Sequence, residues 1–338
     1  MAVEPFAGSV DVDLLTAGFV DLQVNGIDDI DVATAAGDDW DRLDQLLIAQ
    51  GVTTWCPTLV TMPLDRYAAP LHRIAEAMKR VNPTRPVIAG AHLEGPFLGA
   101  APGAHPRDLI VDIDLAWIED LPTNVAMVTL GAEQRLAGAA IEWLARRGVL
   151  VSLGHTAAGD HDLDRAVVHG ASMVTHLFNG MSGLHHRAPG VVAWVLTHPA
   201  MCASIIADGV HVHPRMVRLA FQVLGPDRVV LVTDSVAWRR GGIGPIGFEV
   251  FDGAPRLPDG TLAGSALTMD AAIRTSVAAG VALETALTAA SANPARLLGL
   301  DDRGTIEIGK RADLVGMSGA GTVTAVWVAG EPVNGLEI

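Results

Sequence analysis

The chain has 338 residues, 50% of them hydrophobic, and a net charge of −15 from 23 Lys+Arg against 38 Asp+Glu; no basic run offers itself to nucleic acid or to an anionic membrane. That length can bury one large core with a small appendage, yet no stretch approaches the roughly 18 consecutive apolar residues of a membrane span. Residues 1–10 lack the basic and long apolar regions of a secretory leader, and two cysteines, Cys56 and Cys202, are no disulfide framework, so a reducing cytoplasm is expected.

Eight short apolar runs, bounded by turn residues, fit buried parallel strands: 20–24, 52–56, 86–92, 125–130, 149–153, 172–175, 203–207 and 228–233. Between them, 39–50, 64–81, 133–147, 160–169 and 214–224 carry amphipathic helical spacing. The alternation predicts an α/β fold, a closed (β/α)8 TIM-like barrel over 18–304. An open doubly wound sheet is the alternative, but no Gly-rich nucleotide loop follows the first run. A last helical stretch covers 267–298, after which 304–315 and 323–333 turn strand-like. Because an isolated hairpin is marginal in water, a small β-sandwich domain is expected from 1–17 and 305–338, with 245–260 as a further contributor.

Glu94, His155, His176 and Asp234 follow directly on the third, fifth, sixth and eighth runs. A parallel barrel gathers the C-terminal ends of its strands on one face, so these four should converge. Two imidazoles and a carboxylate form a hydrolytic Zn2+ set that leaves a position for water, and a nearby Asp can act as general base and then acid. Taken singly, each has a plain structural explanation, a hydrogen-bonded core His or an Asp helix cap. Coincidence would have to act four times. His92, two residues from Glu94 and on its strand face, is read as backing Glu94. Together these residues point to a metal-dependent hydrolase.

Gly18-Phe19-Val20-Asp21, His92-Leu93-Glu94-Gly95-Pro96-Phe97, Gly154-His155-Thr156, His176-Leu177-Phe178-Asn179-Gly180-Met181 and the terminal Gly304 to Leu314 segment resemble the N-acetylglucosamine-6-phosphate deacetylases of the amidohydrolase superfamily. The resemblance covers nearly everything after residue 17. It implies that Glu94, His155 and His176 bind the metal, that Asp234 is the catalytic acid/base, and that His105 stabilises the oxyanion. It further implies substrate contacts from Asn179, Gly180, His211 and Leu262. Arg187 resembles the arginine that reaches the 6-phosphate from the neighbouring subunit, which implies a homodimer; a guanidinium fork suits phosphate.

Many amidohydrolases hold two metals through a His-X-His at the first strand and a carboxylated lysine at the fourth. Here the first run ends Gln23-Val24-Asn25 and neither lysine, Lys79 or Lys310, stands at a strand end. Amides are poor ligands beside imidazole, so Gln23 and Asn25 are read, with His92, as the remnant of a second site. One divalent ion per subunit is expected, Zn2+ first, with Fe2+, Co2+ or Mn2+ as alternatives. Only 16 residues precede Ala17-Gly18, fewer than the family's usual N-terminal β segment, so either the small domain is reduced or the chain lacks its natural beginning. Asp28-Asp29 and Gly180 also depart from the family's common residues. The expected reaction is hydrolysis of the acetamide of N-acetyl-D-glucosamine 6-phosphate. A deacetylase for the galactosamine isomer, another amidohydrolase, and a non-catalytic sugar-phosphate binding protein are the alternatives.

Overall fold

The computed structural model describes residues 12–333. Eight parallel strands form its centre: Phe19–Val24, Val52–Val60, Ala91–Glu94, Val125–Leu130, Leu150–Leu153, Met173–Val174, Cys202–Ile205 and Val229–Leu231. They are joined side by side in chain order. Every one is buried along almost its whole length, which is why they read as continuous apolar runs: a parallel sheet wrapped by helices has no wet face.

The seam between first and eighth strands is closed by bonds just beyond the regular ladder. The Asp234 amide donates to the Gln23 carbonyl at 2.9 Å, and the Asn25 amide donates to the Ser235 carbonyl at 2.9 Å. Buried Asp21 reinforces the seam by accepting from Thr233 Oγ1 at 2.6 Å and from the Gln23 and Thr233 amides. Polar side chains also cross the barrel interior. Thr58 and Thr129 flank the His92 imidazole, and Thr129 Oγ1 meets Thr175 Oγ1 at 2.8 Å.

Helices Asp39–Ala49, Ala68–Met78, Ala137–Arg146, Asp160–His169 and Pro214–Leu224 stand where the spacing places them, the first three with trimmed ends and the last two at the expected bounds. The third predicted strand, 86–92, is broken: Val87–Ile88 and Ala91–Glu94 are separate pieces. Gly90 lies between them at φ +144°, where an added Cβ would come within 2.6 Å of the Ala126 methyl. The predicted 267–298 helix is three, Met269–Ala278, Leu283–Ala290 and Ala292–Leu297, because Gly280 takes a left-handed φ of +94° and stops the first.

Leu14–Ala17, Leu314–Met317, Val323–Val328 and Glu331–Pro332 form a small antiparallel sheet in that order. Residues 1–11 and 334–338 of the expected small domain lie outside the described residues. Two expectations for it need correction. Residues 304–313 are loop, broken by positive φ at Gly304 and Gly309. The 245–260 segment does not join the sheet: Glu249–Phe251 pairs with Ala254–Arg256 across Asp252-Gly253, both at positive φ, as a tight hairpin requires. A shorter hairpin, Gly242–Ile243 with Ile246–Gly247, precedes it, and its isoleucines bury against Val60, Val236 and Ala263. This flap is tied down by Asp31, which accepts from the Gly244 amide at 3.0 Å, and by an ion pair of Asp28 with Arg239 at 2.7 Å. Among the described residues no helix is long and apolar enough to cross a membrane.

Candidate active site

The C-terminal strand ends surround a cavity of about 280 Å3. Glu94 is the last residue of the third barrel strand, and His155, His176 and Asp234 sit two, two and three residues past the fifth, sixth and eighth. His155, His176 and Asp234 hold left-handed backbone at φ +49°, +35° and +48°, a conformation costly for residues with a Cβ that clusters where function imposes it. The sharp turn is what aims each side chain back over the barrel mouth.

Three atoms converge there. His176 Nε2 is 2.9 Å and His155 Nε2 is 3.1 Å from Glu94 Oε1, and the two Nε2 atoms are 3.2 Å apart. Behind them, His155 Nδ1 faces the Ala101 carbonyl at 3.3 Å and His176 Nδ1 faces the Asn179 carbonyl at 3.2 Å. A carbonyl only accepts, so each Nδ1 carries its proton and each Nε2 presents a lone pair. Three electron-pair donors with no hydrogen between them repel one another unless a cation lies among them. Their spacing is close to the roughly 3.3 Å edge of a tetrahedron built with Zn–ligand bonds of about 2.0–2.1 Å. The donor set therefore fits one divalent ion. Without it the cluster takes up a proton instead. Burial would lower His176, but the hydrogen bond and charge of Glu94 outweigh burial and raise it. Burial would raise Glu94, yet bonds from His155 and His176 hold it well below the usual carboxylate range.

His105 joins this group, with Nε2 3.9 Å from Glu94 Oε2 and its ring centroid 4.3 Å from that of His155; Glu94, His105 and His155 by themselves have metal-site spacing. The far side of the His105 ring separates its role from that of a ligand. Thr61 offers its amide at 3.4 Å and its hydroxyl at 2.8 Å to Nδ1. With both donating, the proton sits on Nε2 and points at the cavity. Burial first and the His155 charge second depress its pKa to about 3, so His105 is a neutral donor.

Gln23 Nε2 donates to both Glu94 Oε1 and Asp234 Oδ1 at 3.0 Å, and Asn25 Nδ2 donates to Asp234 Oδ1 at 2.7 Å. The amides thus act as donors that orient the two carboxylates. Burial, and then the Glu94 charge, push Asp234 up to about 8. His92 stands apart from the convergent atoms, held between Thr58 and Thr129 and depressed to about 4 mainly by burial; it is a neutral part of the interior network.

Asn179, Gly180, His211 and Leu262 all line the cavity. His211 is fixed by Asp208, whose Oδ2 accepts from Nδ1 at 2.6 Å. Arg187 does not line it. It lies on an exposed loop with its guanidinium 2.8 Å from His186 Nε2, and among the described residues no Lys or Arg faces the cavity. Sequence reasoning missed Thr61, Asp208 and the flap residues Ile243 and Ile246, which roof the cavity. Thr61 and the two isoleucines are ordinary residue types on segments without a distinctive pattern, whereas Asp208 lies beside His211 in the 206–211 stretch that resembles the family, a signal that could have found it.

An eight-stranded parallel barrel that carries, at its C-terminal mouth, a buried carboxylate beside a His2Glu cluster able to hold a metal ion has the architecture of the amidohydrolases. The chain belongs to the amidohydrolase family, whose model matches residues 14–333. It is 37% identical to N-acetylgalactosamine-6-phosphate deacetylase of Escherichia coli O157:H7, over 98% of this chain and 91% of that one. It is 38% identical to N-acetylglucosamine-6-phosphate deacetylase of Bos taurus, over 96% of this chain and 84% of that one. Among solved structures, a mutant N-acetyl-D-glucosamine-6-phosphate deacetylase from Mycobacterium smegmatis, in complex with N-acetyl-D-glucosamine-6-phosphate, superposes with a TM-score of 0.88 at 33% identity, covering 97% of this chain and 91% of that one. The chain is a hydrolase of amide bonds with a deacetylase role in amino-sugar metabolism.

Proposed function

We propose that the chain hydrolyses the acetamide of N-acetyl-D-glucosamine 6-phosphate to D-glucosamine 6-phosphate and acetate. The observation that carries this reading is the convergence of Glu94 Oε1, His155 Nε2 and His176 Nε2 within 3.2 Å, with Asp234 tied to the same Gln23 amide as Glu94.

Glu94, His155 and His176 would hold one ion, Zn2+ or another divalent metal of similar preference. When bound, such an ion polarises the acetamide carbonyl and makes water acidic enough to attack it at neutral pH. The chain's own residues do the rest. Asp234 Oδ1 is held by Gln23 and Asn25, which leaves Oδ2 to take the proton of the attacking water and return it to the leaving amine. A proton affinity near neutrality suits a group that must do both. His105 Nε2–H donates to the acyl oxygen as its charge grows, a preorganised donor that needs no rearrangement.

Asn179, Gly180, His211 and Leu262 border the space for the sugar. The absence of a cationic side chain among the described lining residues supports a phosphate partner from outside the cavity. Arg187 of a second copy, in a homodimer, supplies it in this reading. The reducing cytoplasm remains the setting that two free, buried cysteines favour.

The test is acetate release by the purified, Zn2+-supplemented protein from N-acetyl-D-glucosamine 6-phosphate and its galactosamine epimer. Faster turnover of the glucosamine compound is expected. Preference for the epimer would transfer the assignment to it, and release from neither would refute the proposal.

A further inference from the structure

Glu133 follows the fourth barrel strand, at the barrel mouth but outside the cavity lining. Its Oε1 accepts from two amides of different loops, Ala100 at 2.8 Å and Ala157 at 2.9 Å. Its Oε2 accepts from the Thr156 hydroxyl. One carboxylate therefore fastens the loop after the third strand to the turn after the fifth.

What lies on those two segments gives the contact its meaning. The first supplies the Ala101 carbonyl that faces His155 Nδ1 at 3.3 Å, and a few residues on it carries His105. The second begins with His155 itself, held at a left-handed φ of +49°. The segments also bond directly, the Gly99 and Ala101 amides both donating to the His155 carbonyl at 2.9 and 3.4 Å. Thr156 extends the assembly, its amide donating to the Gly180 carbonyl at 3.0 Å. Gly99 is what allows the carboxylate so close, since a Cβ at that position would fall on Glu133 Oε1.

We propose that Glu133 is a positioning residue: it fixes the Ala101 carbonyl against His155 and holds the strained His155 turn, so that Nε2 is presented as a lone pair in the right place. This rests on the reading of His155 as a metal ligand. Its effect passes entirely through His155 and the His105 loop, and no atom of Glu133 reaches the substrate space. Partners that orient a metal-ligating histidine affect metal affinity as well as rate, typically by 10- to 100-fold.

The test compares Glu133→Ala, Glu133→Gln and the wild type by Zn2+ competition against a chelating dye, steady-state kinetics with N-acetyl-D-glucosamine 6-phosphate, and thermal melting. Glu133→Ala should weaken Zn2+ binding by roughly 10- to 100-fold and lower kcat, with KM changed by less than about threefold because the sugar contacts stay in place. Glu133→Gln keeps an oxygen for the two amides and should restore most of both. Should Glu133→Ala fail to fold, Gly99→Ala, which pushes the carboxylate off Ala100 without removing it, must weaken Zn2+ binding by itself. Wild-type Zn2+ affinity in a folded Glu133→Ala or Gly99→Ala protein overturns the inference, as does a Glu133→Gln as impaired as Glu133→Ala. A wild type that binds no Zn2+ overturns the metal reading beneath it, a different result from Zn2+ binding that ignores Glu133.

Discussion

Replacing Asp234 by Asn removes one ionisable oxygen and leaves the surrounding geometry almost untouched. Asp234 Oδ1 accepts from Gln23 at 3.0 Å and Asn25 at 2.7 Å, and an amide oxygen can accept both bonds in the same place. The side chain should therefore keep its rotamer. Folding should not suffer either, because burial and then the Glu94 charge make this carboxyl costly to ionise and raise it to about 8; a neutral amide carries no such cost. The proton relay is what is lost. General acid–base catalysis contributes about 10²- to 10⁴-fold, so kcat should fall by that factor, about 3 to 5 kcal/mol at 1.36 kcal/mol per decade. KM and bound metal should change by less than about threefold, as expected when an interaction is made chiefly in the transition state. Acetate release, metal content and melting on the same preparation test this. A variant that retains kcat within about tenfold, with metal bound, would refute the assignment of Asp234 as proton shuttle. Loss of metal along with activity would mean that Asp234 acts instead as a ligand.

Chelation should abolish acetate release, and one equivalent of Zn2+ per chain should restore it; full activity only at two equivalents would refute a site in which Gln23 and Asn25 serve as donors. Arg187→Ala should raise KM for the phosphosugar about tenfold or more, the scale of a lost charge-assisted bond, with little effect on kcat; unchanged KM would remove this arginine from phosphate recognition. Asp21 is raised to about 7, chiefly by burial against the lowering effect of the Thr233 hydroxyl. Its folded value exceeds the unfolded one, so the folded chain binds the extra proton, and this contribution is complete below about pH 4 and lost as pH rises through 7. Melting of the chelated protein should fall over that window in the wild type and less in Asp21→Asn; parallel curves would refute the linkage.

The barrel was legible because strand burial on both faces leaves an unbroken apolar run, and 125–130 matched Val125–Leu130 residue for residue. Positions such as Glu94 and His155 could be read for the same reason: a charged or imidazole side chain directly after a dry strand has few places to go except the barrel mouth. What stayed hidden depends on tertiary approach. Gly90 looks like any strand glycine until Ala126 is set against it. Nothing in Thr61 or Glu133 announces that a loop far along the chain will fold onto it. The 245–260 segment is a different case, since its Asp252-Gly253 pair is a hairpin signal in the sequence itself and the positive φ at both residues turns the strand back on itself. His92 shares the strand of Glu94, yet two threonines capture it inside the barrel.

The seam between the first and eighth strands has a bearing on how the enzyme comes into being. Gln23 and Asp234 stand 211 positions apart in the chain, so the proposed proton carrier reaches its partners only after both ends of the barrel sequence are available. Glu94, His155 and His176 all precede Asp234 in the chain. Contacts this remote are slow to form, so under the proposed assignment reactivity arrives as the concluding act of folding.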